Sequence, residues 1–452
     1  MKKILLLALL LVASKNHAQE CVDRVVCSDN SVTVYLLDGN TLTWGQNQFG
    51  QLGNGTTVAT ISPTPTVNAD QWASVSHARM HTIALDHDGN LWSWGNNDVG
   101  QLGNNSTASY SYVPVSTGSG SDWIEISGGN LHSIGKKADG TLWGWGNNGA
   151  YELIMNGENF YANPFQISPD TDWNKIYAGY FKTFAIKYDG TLWGRGRNNL
   201  GDVGIGSTVW VPFFTQIGTA NNWTKISAAR CNSSFGLRSD NTLWAWGINE
   251  NGRLGDGTVI NRTAPVQIPG QWKDIASGNF HTIGIKTDGT LWQWGSYGWF
   301  DGGIPIPITN VPVQVGTDSD WKSVSAGYCS SYAIKENNSL WSWGYNGGGW
   351  LGDGTTVSNY TPEMIMGCTQ MSSSDWLSGA LTVYPNPTRD IVKWNTTETM
   401  STFRIVNALG QTVKSGDARS GELHVSDLTE GIYVIVLESS SGKTQQTKFI
   451  KQ

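Results

Sequence analysis

The chain has 452 residues, with 29 Lys and Arg against 36 Asp and Glu, a formal net charge of −7. Charged residues make up 14 % of it, against about a quarter in an ordinary globular domain, while Gly reaches 55 and Trp 23. Few charges with many aromatics exclude a disordered chain and long solvated helices, and the missing basic face excludes a nucleic-acid binder.

Residues 1–18 predict a signal peptide. Lys2 and Lys3 give the charged start, Ile4–Ala13 is an apolar run, and a polar Ser14–His17 stretch ends in Ala18. The run is too short to span a bilayer, and no later segment offers a transmembrane span.

Residues 19–370 repeat a single unit. The segments LTWG, LWSWG, LWGWG, LWGRG, LWAWG, LWQWG and LWSWG close on Gly45, Gly95, Gly146, Gly196, Gly247, Gly295 and Gly344. A turn pair precedes each, as at Asp38-Gly39, Asp88-Gly89, Asp240-Asn241 and Asn337-Asn338. A further Trp recurs upstream, at Trp72, Trp123, Trp173, Trp223, Trp272 and Trp321. Asp-Gly between alternating apolar runs is a hairpin signal, because both turn residues accept positive φ. Four short strands per unit at a period of about fifty residues predict an all-β fold, a seven-bladed β-propeller. Most of the Trp residues are then packing between blades.

Residues 22–44 carry only the second half of a unit and residues 343–368 only the first half. The ring is therefore expected to close by pairing strands from the two chain ends in a shared seventh blade, which removes exposed edges. In a continuous repeat Cys21 and Cys368 would fall at almost the same place. That register predicts a Cys21–Cys368 disulfide, which export permits, with Cys21–Cys27 as the local alternative. Five cysteines leave at least one thiol, and Cys27, Cys231 and Cys329 are expected to be thiols.

The unit DGxLWxWGxNxxGQLGxGT, followed by PxxV, a Trp and GxxHT, resembles the regulator of chromosome condensation (RCC1) repeat. GQLG stands intact at Gly50–Gly53 and Gly100–Gly103, as GRLG at Gly252–Gly255 and as GWLG at Gly349–Gly352. The resemblance implies a seven-bladed propeller. Nucleotide exchange on a small GTPase, one role in this family, needs a partner that an exported acidic chain does not meet. Light sensing through the Trp of a GWRHT motif is not carried over either. The matching segments read GNLHS at Gly129–Ser133, GNFHT at Gly278–Thr282 and GYCSS at Gly327–Ser331. A secreted family member that binds its target enzyme through aromatic loops is the analogue by location, at the level of the fold alone.

Residues 371–380 read as a polar linker, and the strand-and-turn rhythm of 381–452 as a small Ig-like β-sandwich. Tyr384, Pro385, Asn386 and Pro387 of YPNPT, Gly410 of LGQ, and Gly431 and Tyr433 of the L-x-x-G-I-Y run resemble the type A sorting domain of the type IX secretion system. The resemblance implies engagement of that machinery and a destination outside, or on the surface of, a Bacteroidota-type bacterium.

No HExxH, GxSxG, P-loop or paired CxxC motif is present, so no catalytic residue, metal or cofactor is assigned and the chain is expected not to be an enzyme. His81, His132 and His281 share one repeat position, held elsewhere by Ser31, Lys182, Asn232 and Ser330, and read as packing residues rather than a metal ring. Glu152 and Glu158 in the irregular third unit are the one conceivable glycosidase pair. Residues that break the repeat are more informative. Tyr110 and Tyr112, Phe160 and Tyr161, and Trp210 hold equivalent positions in three consecutive units. Tyr151, Trp299, Phe300 and Trp350 replace small or Gln residues near the GQLG loop, and Arg195 and Arg197 depart from the repeat in the same region. Exposed aromatics with few charges suit a protein hot spot or sugar stacking. The expectation is a monomeric, exported binding protein for an extracellular protein, with a polysaccharide as the alternative ligand of the same aromatics.

Overall fold

The computed structural model describes residues 21–68, 71–118, 120–155, 157–228, 232–296, 308–368, 381–395, 400–407, 412–439 and 444–452. The predicted signal peptide and linker, Cys231, Trp299, Phe300 and Gly410 lie outside the described residues. The chain packs as two units, one ending at Cys368 and the other beginning at Thr369.

Seven four-stranded antiparallel sheets make up the first unit, each a meander whose strands pair in chain order. These blades span residues 22–65, 72–116, 123–168, 173–216, 223–268, 272–314 and 321–366. In blades 1 and 3 to 6 the Asp of the turn pair sets the hairpin between second and third strands, and Asp86 and Asn337 do so in blades 2 and 7. Asp139 Oδ1, for example, accepts the Thr141 amide at 2.9 Å and its hydroxyl at 2.6 Å. The innermost strands follow one another around an axis. Val22–Ser28 of the first blade lies against both Trp72–His77 and Trp321–Ala326, so the ring is closed.

Closure does not use a shared blade. Val22–Ser28 pairs with Ser31–Leu36, and Asn359–Met366 pairs with Leu340–Gly344, each within its own blade. The expectation failed because the sequence unit was counted from turn to turn, whereas the folded unit starts at the upstream Trp column. Val22 occupies that column, and its amide donates to Asn338 O at 3.0 Å. The same bond joins Trp223 to Gly190 O at 3.0 Å and Trp272 to Asn241 O at 2.8 Å. Cys21 and Cys368 are disulfide-bonded with Cα atoms 4.5 Å apart, at the position where residues 269–271 link two other blades through the backbone. Cys27 Sγ lies 3.0 Å from Ser325 Oγ across the same seam, and Cys329 is buried.

The two Trp columns fill the spaces between blades: Trp72, Trp123, Trp173, Trp223, Trp272 and Trp321, and Trp44, Trp94, Trp145, Trp246, Trp294 and Trp343, are all at most 3 % exposed. Where it is described, the GQLG-type loop latches its blade to the next. Gln51 O accepts both Trp94 Nε1 at 2.9 Å and Thr82 Oγ1 at 2.8 Å, and Gln101 O accepts Trp145 Nε1 at 2.9 Å. Trp350 O does the same for Trp44 Nε1 at 2.8 Å, carrying the latch across the closure. Gly352 ends that loop at φ +76°, and a Cβ there would lie 2.6 Å from the buried Trp44 indole. Gly352→Ala combines overpacking with a left-handed backbone, so thermal unfolding is expected to show a loss of about 2–4 kcal/mol.

Two sheets form the second unit. Thr382–Tyr384, Ile391–Asn395 and Glu422–His424 make one, and Thr412–Asp417, Met400–Asn407, Gly431–Ser439 and Thr444–Lys451 pair in that order in the other. Between them lie Val392, Ile405, Val425, Ile435, Leu437 and Phe449, an Ig-like core. The YPNPT segment holds the last strand. Asn386 Nδ2 donates to Lys448 O at 3.1 Å and Oδ1 accepts the Ile450 amide at 2.9 Å, while the Thr388 amide donates to Ile450 O at 2.8 Å. Tyr433 is buried beside Phe449, and Tyr384 is half exposed.

Candidate functional site

Successive strands of a meander run in opposite directions, so each blade sends two connections to the same face. These are the short hairpin between its first and second strands and the long GQLG-type loop between its third and fourth. That face carries a rim, built from the long loops and the outermost strands, and a central mouth, built from the short hairpins.

On the rim, Tyr110 and Phe160 open the outermost strands of blades 2 and 3, and Trp210 immediately precedes that of blade 4. Exposure is 46 % for Tyr110, 48 % for Tyr112, 38 % for Tyr151, 51 % for Phe160 and 39 % for Trp210. Tyr110 and Tyr112 have ring centroids 6.5 Å apart, and Tyr151 meets Trp210 edge-on at 5.8 Å across the seam between blades 3 and 4. Tyr151 sits at φ +60°, where the other described blades place Gly50, Gly100, Gly201, Gly252 and Gly349. A bulky residue in that left-handed region carries strain of about 1–3 kcal/mol.

The remaining predicted rim residues divide. Tyr161 is half-buried, its ring 3.9 Å from Phe165 and its hydroxyl accepting the Glu158 amide at 3.0 Å. Arg197 is half-buried, donating to Asn232 Oδ1 at 2.7 Å with its guanidinium over Phe181. Arg195 is only 3 % exposed and does not belong to the surface. It stands in the Trp column and keeps the donor role of the missing indole, with Nε 3.1 Å from Tyr151 O and a second bond to Pro212 O. Burial lowers the Arg195 pKa to about 10, while the nearby Glu152 charge raises it.

Glu152 holds the Gln position of the latch, fully buried, accepting the Ala150 amide at 2.7 Å and the Asn147 side chain. Burial pushes its carboxyl up, and its own backbone hydrogen bonds and Arg195 pull the other way. Glu158 is exposed, whereas Glu152 is enclosed in the latch. The histidine column is a second latch. His81 Nε2 meets Ser133 Oγ at 2.8 Å, His132 Nε2 meets Thr183 Oγ1 at 3.2 Å, and His281 Nε2 meets Ser331 Oγ at 2.9 Å. Lys182, in the same column, donates to Ser234 Oγ at 2.8 Å. Among the described residues no three His, Cys, Asp or Glu side chains group as metal ligands, and no helix is long and apolar enough to cross a membrane.

At the mouth the described hairpin tips of neighbouring blades bond to one another. The Asn279 amide donates to Tyr328 O at 3.0 Å, and the Tyr328 amide to Asp29 O at 2.6 Å. Above them lies a cavity of about 540 Å³, lined by Asn30, Gln46, Tyr180, Asn279, Tyr328 and Trp350 among others. Trp350, predicted with the rim, belongs here. Sequence reasoning missed this site, although it had a signal. The residue after Gly in the otherwise regular GxxH segment changes from blade to blade, through Asn130, Tyr180, Asn279 and Tyr328.

Comparison with known proteins agrees with this architecture. The RCC1 repeat family model matches residues 38–85, 88–135 and 240–285, and a second RCC1 repeat model matches 123–151. The secretion system C-terminal sorting domain matches residues 382–452. Human WBSCR16 superposes with a TM-score of 0.65 at 18 % identity, covering 72 % of this chain and 94 % of that one. Yeast RCC1 (Prp20), solved with Kap60, gives 0.64 at 19 % identity, covering 85 % and 94 %. At these identities the likeness carries the fold alone. No curated protein sequence matches the chain.

Proposed function

From a chain built of RCC1 repeats and closed by a secretion-system sorting domain, we propose an exported, non-enzymatic recognition protein that grips a protein partner with the aromatic rim. In this reading type IX secretion carries it to the surface or surroundings of a Bacteroidota-type cell. The observation that supports the rim most is Tyr151. Every other described blade relaxes this left-handed position with Gly, and here it holds a Tyr, its ring against Trp210. Backbone strain retained at one position is a mark of function. Tyr110, Tyr112 and Phe160 on the two preceding blades extend the same surface, and clustered, partly exposed aromatics are what protein hot spots are made of.

Two variants test the reading. Tyr151→Gly is expected to raise stability by about 1 kcal/mol, by relieving the backbone, and to weaken partner binding. Tyr110→Ala with Phe160→Ala and Trp210→Ala is expected to cut affinity at least about a hundredfold, with an unchanged circular dichroism spectrum. A partner held as tightly by this triple variant as by the native chain removes the rim from the account.

A further inference from the structure

We propose that the central mouth is a second binding site, for a short neutral saccharide, independent of the rim and of the protein partner assigned to it. The mouth is concave. Its volume of about 540 Å³ lies within the usual range for small-ligand pockets.

Its walls combine the two chemistries that a sugar requires. Tyr180, Tyr328 and Trp350 are half-buried, and each ring is braced by a neighbour: Phe181 at 4.4 Å, Phe280 at 5.8 Å and Tyr345 at 5.2 Å between centroids. Fixed aromatic platforms offer an apolar face to the C–H side of a sugar ring without losing side-chain freedom on binding. Asn30, Gln46 and Asn279 supply amides, which both donate and accept, as sugar hydroxyls do. Asn30 Nδ2 is committed to Gln46 Oε1 at 3.0 Å, while Asn30 Oδ1 is buried with no hydrogen-bond partner. A buried acceptor without a donor costs free energy that a ligand hydroxyl would return.

The other ligand classes fit less well. At the mouth Arg79 Nε lies 3.6 Å from Asp29 Oδ2, and Arg197 donates to the neutral Asn232 amide. An anion would meet the Asp29 carboxylate in the cavity wall. A purely apolar ligand would strand the amides. For an extended peptide, the described hairpin tips of blades 6, 7 and 1 already bond to one another.

Calorimetric titration of the full chain with cellotetraose, xylotetraose, laminaritetraose, mannotetraose, maltotetraose and, as the anionic arm, tetragalacturonate tests this. At least one neutral tetrasaccharide is expected to bind with a Kd between about 10 μM and 1 mM. Tyr328→Ala and Tyr180→Ala, each checked for an unchanged unfolding temperature, should weaken that binding at least about tenfold, because each removes a stacking platform. The rim variant Tyr110→Ala with Phe160→Ala should bind the sugar as the native chain does. No heat with any neutral sugar at millimolar concentration, tighter binding of tetragalacturonate, or loss in the rim variant instead of the mouth variants would each overturn the proposal. A mouth variant that loses sugar yet keeps the protein partner separates this site from the rim.

Discussion

Replacing Cys368 with Ser, or reducing the Cys21–Cys368 bond, is expected to lower the stability of the propeller by about 3–5 kcal/mol. The bond spans 347 residues of sequence, so it removes a large share of the freedom of the unfolded chain. It also acts at the weakest seam of the ring. Every other blade junction is crossed by the backbone, whereas this disulfide is the covalent link between blades 1 and 7, which otherwise meet through side chains and backbone hydrogen bonds such as Val22–Asn338, Tyr328–Asp29 and Gly354–Ile61. Their shared core includes Trp44, Tyr332, Ile334 and Met366, and opening the seam exposes those residues to water. Urea unfolding followed by Trp fluorescence, with and without reductant, measures the effect. A midpoint that ignores reductant would show that noncovalent packing alone closes the ring. Peptide mapping without reduction supplies the control, since it reports whether the native chain carries the bond at all.

The fold was readable because a propeller is nearly one-dimensional. Each Asp-Gly pair and each LWxWG segment reports on its own blade, and regular spacing reports on their stacking. The phase of the blades was harder to read. A repeat has no marked first residue, and only the pairing of Val22–Ser28 with Ser31–Leu36 shows that the fold begins at the Trp column. Arg195 misled for a different reason. Arginine is seldom fully buried, so an Arg replacing a Trp reads as surface. Here two carbonyls, Tyr151 O from the neighbouring blade and Pro212 O from its own, make burial tolerable. Strand alternation does not report contacts from another blade. The mouth was hidden for a third reason. Asn30, Tyr180, Asn279 and Trp350 are far apart in sequence, differ in type, and converge only when the ring closes. The repeat specifies the scaffold, and the positions that escape the repeat form the site.

Acidification from pH 6.5 to 4.5 is expected to destabilise the propeller by about 3–5 kcal/mol, through the histidine latch. Burial lowers the folded-state pKa of His132 and of His281 to about 3, while the unfolded value is near 6.5. Below pH 6.5 the unfolded chain therefore binds protons that the folded chain refuses, and stability falls as pH falls, until the folded groups titrate near 3. The two pH units cost about 2 kcal/mol for each histidine, since the unfolded imidazole is already half protonated at pH 6.5. Glu152 and Asp202 act with the opposite sign. Burial raises both, so they favour the folded state more as pH falls toward the ordinary carboxylate range, which trims the sum. His132→Gln isolates the latch, because Gln keeps a polar group facing Thr183 but cannot titrate. Whatever that variant costs at neutral pH, its stability should fall less steeply than that of the native chain between pH 6.5 and 4.5. Equal slopes in the two proteins would assign the acid sensitivity to other groups. The shallower slope follows from where the repeat places its histidines: each lies at a seam between blades, facing a hydroxyl that can hydrogen-bond but cannot neutralise a charge.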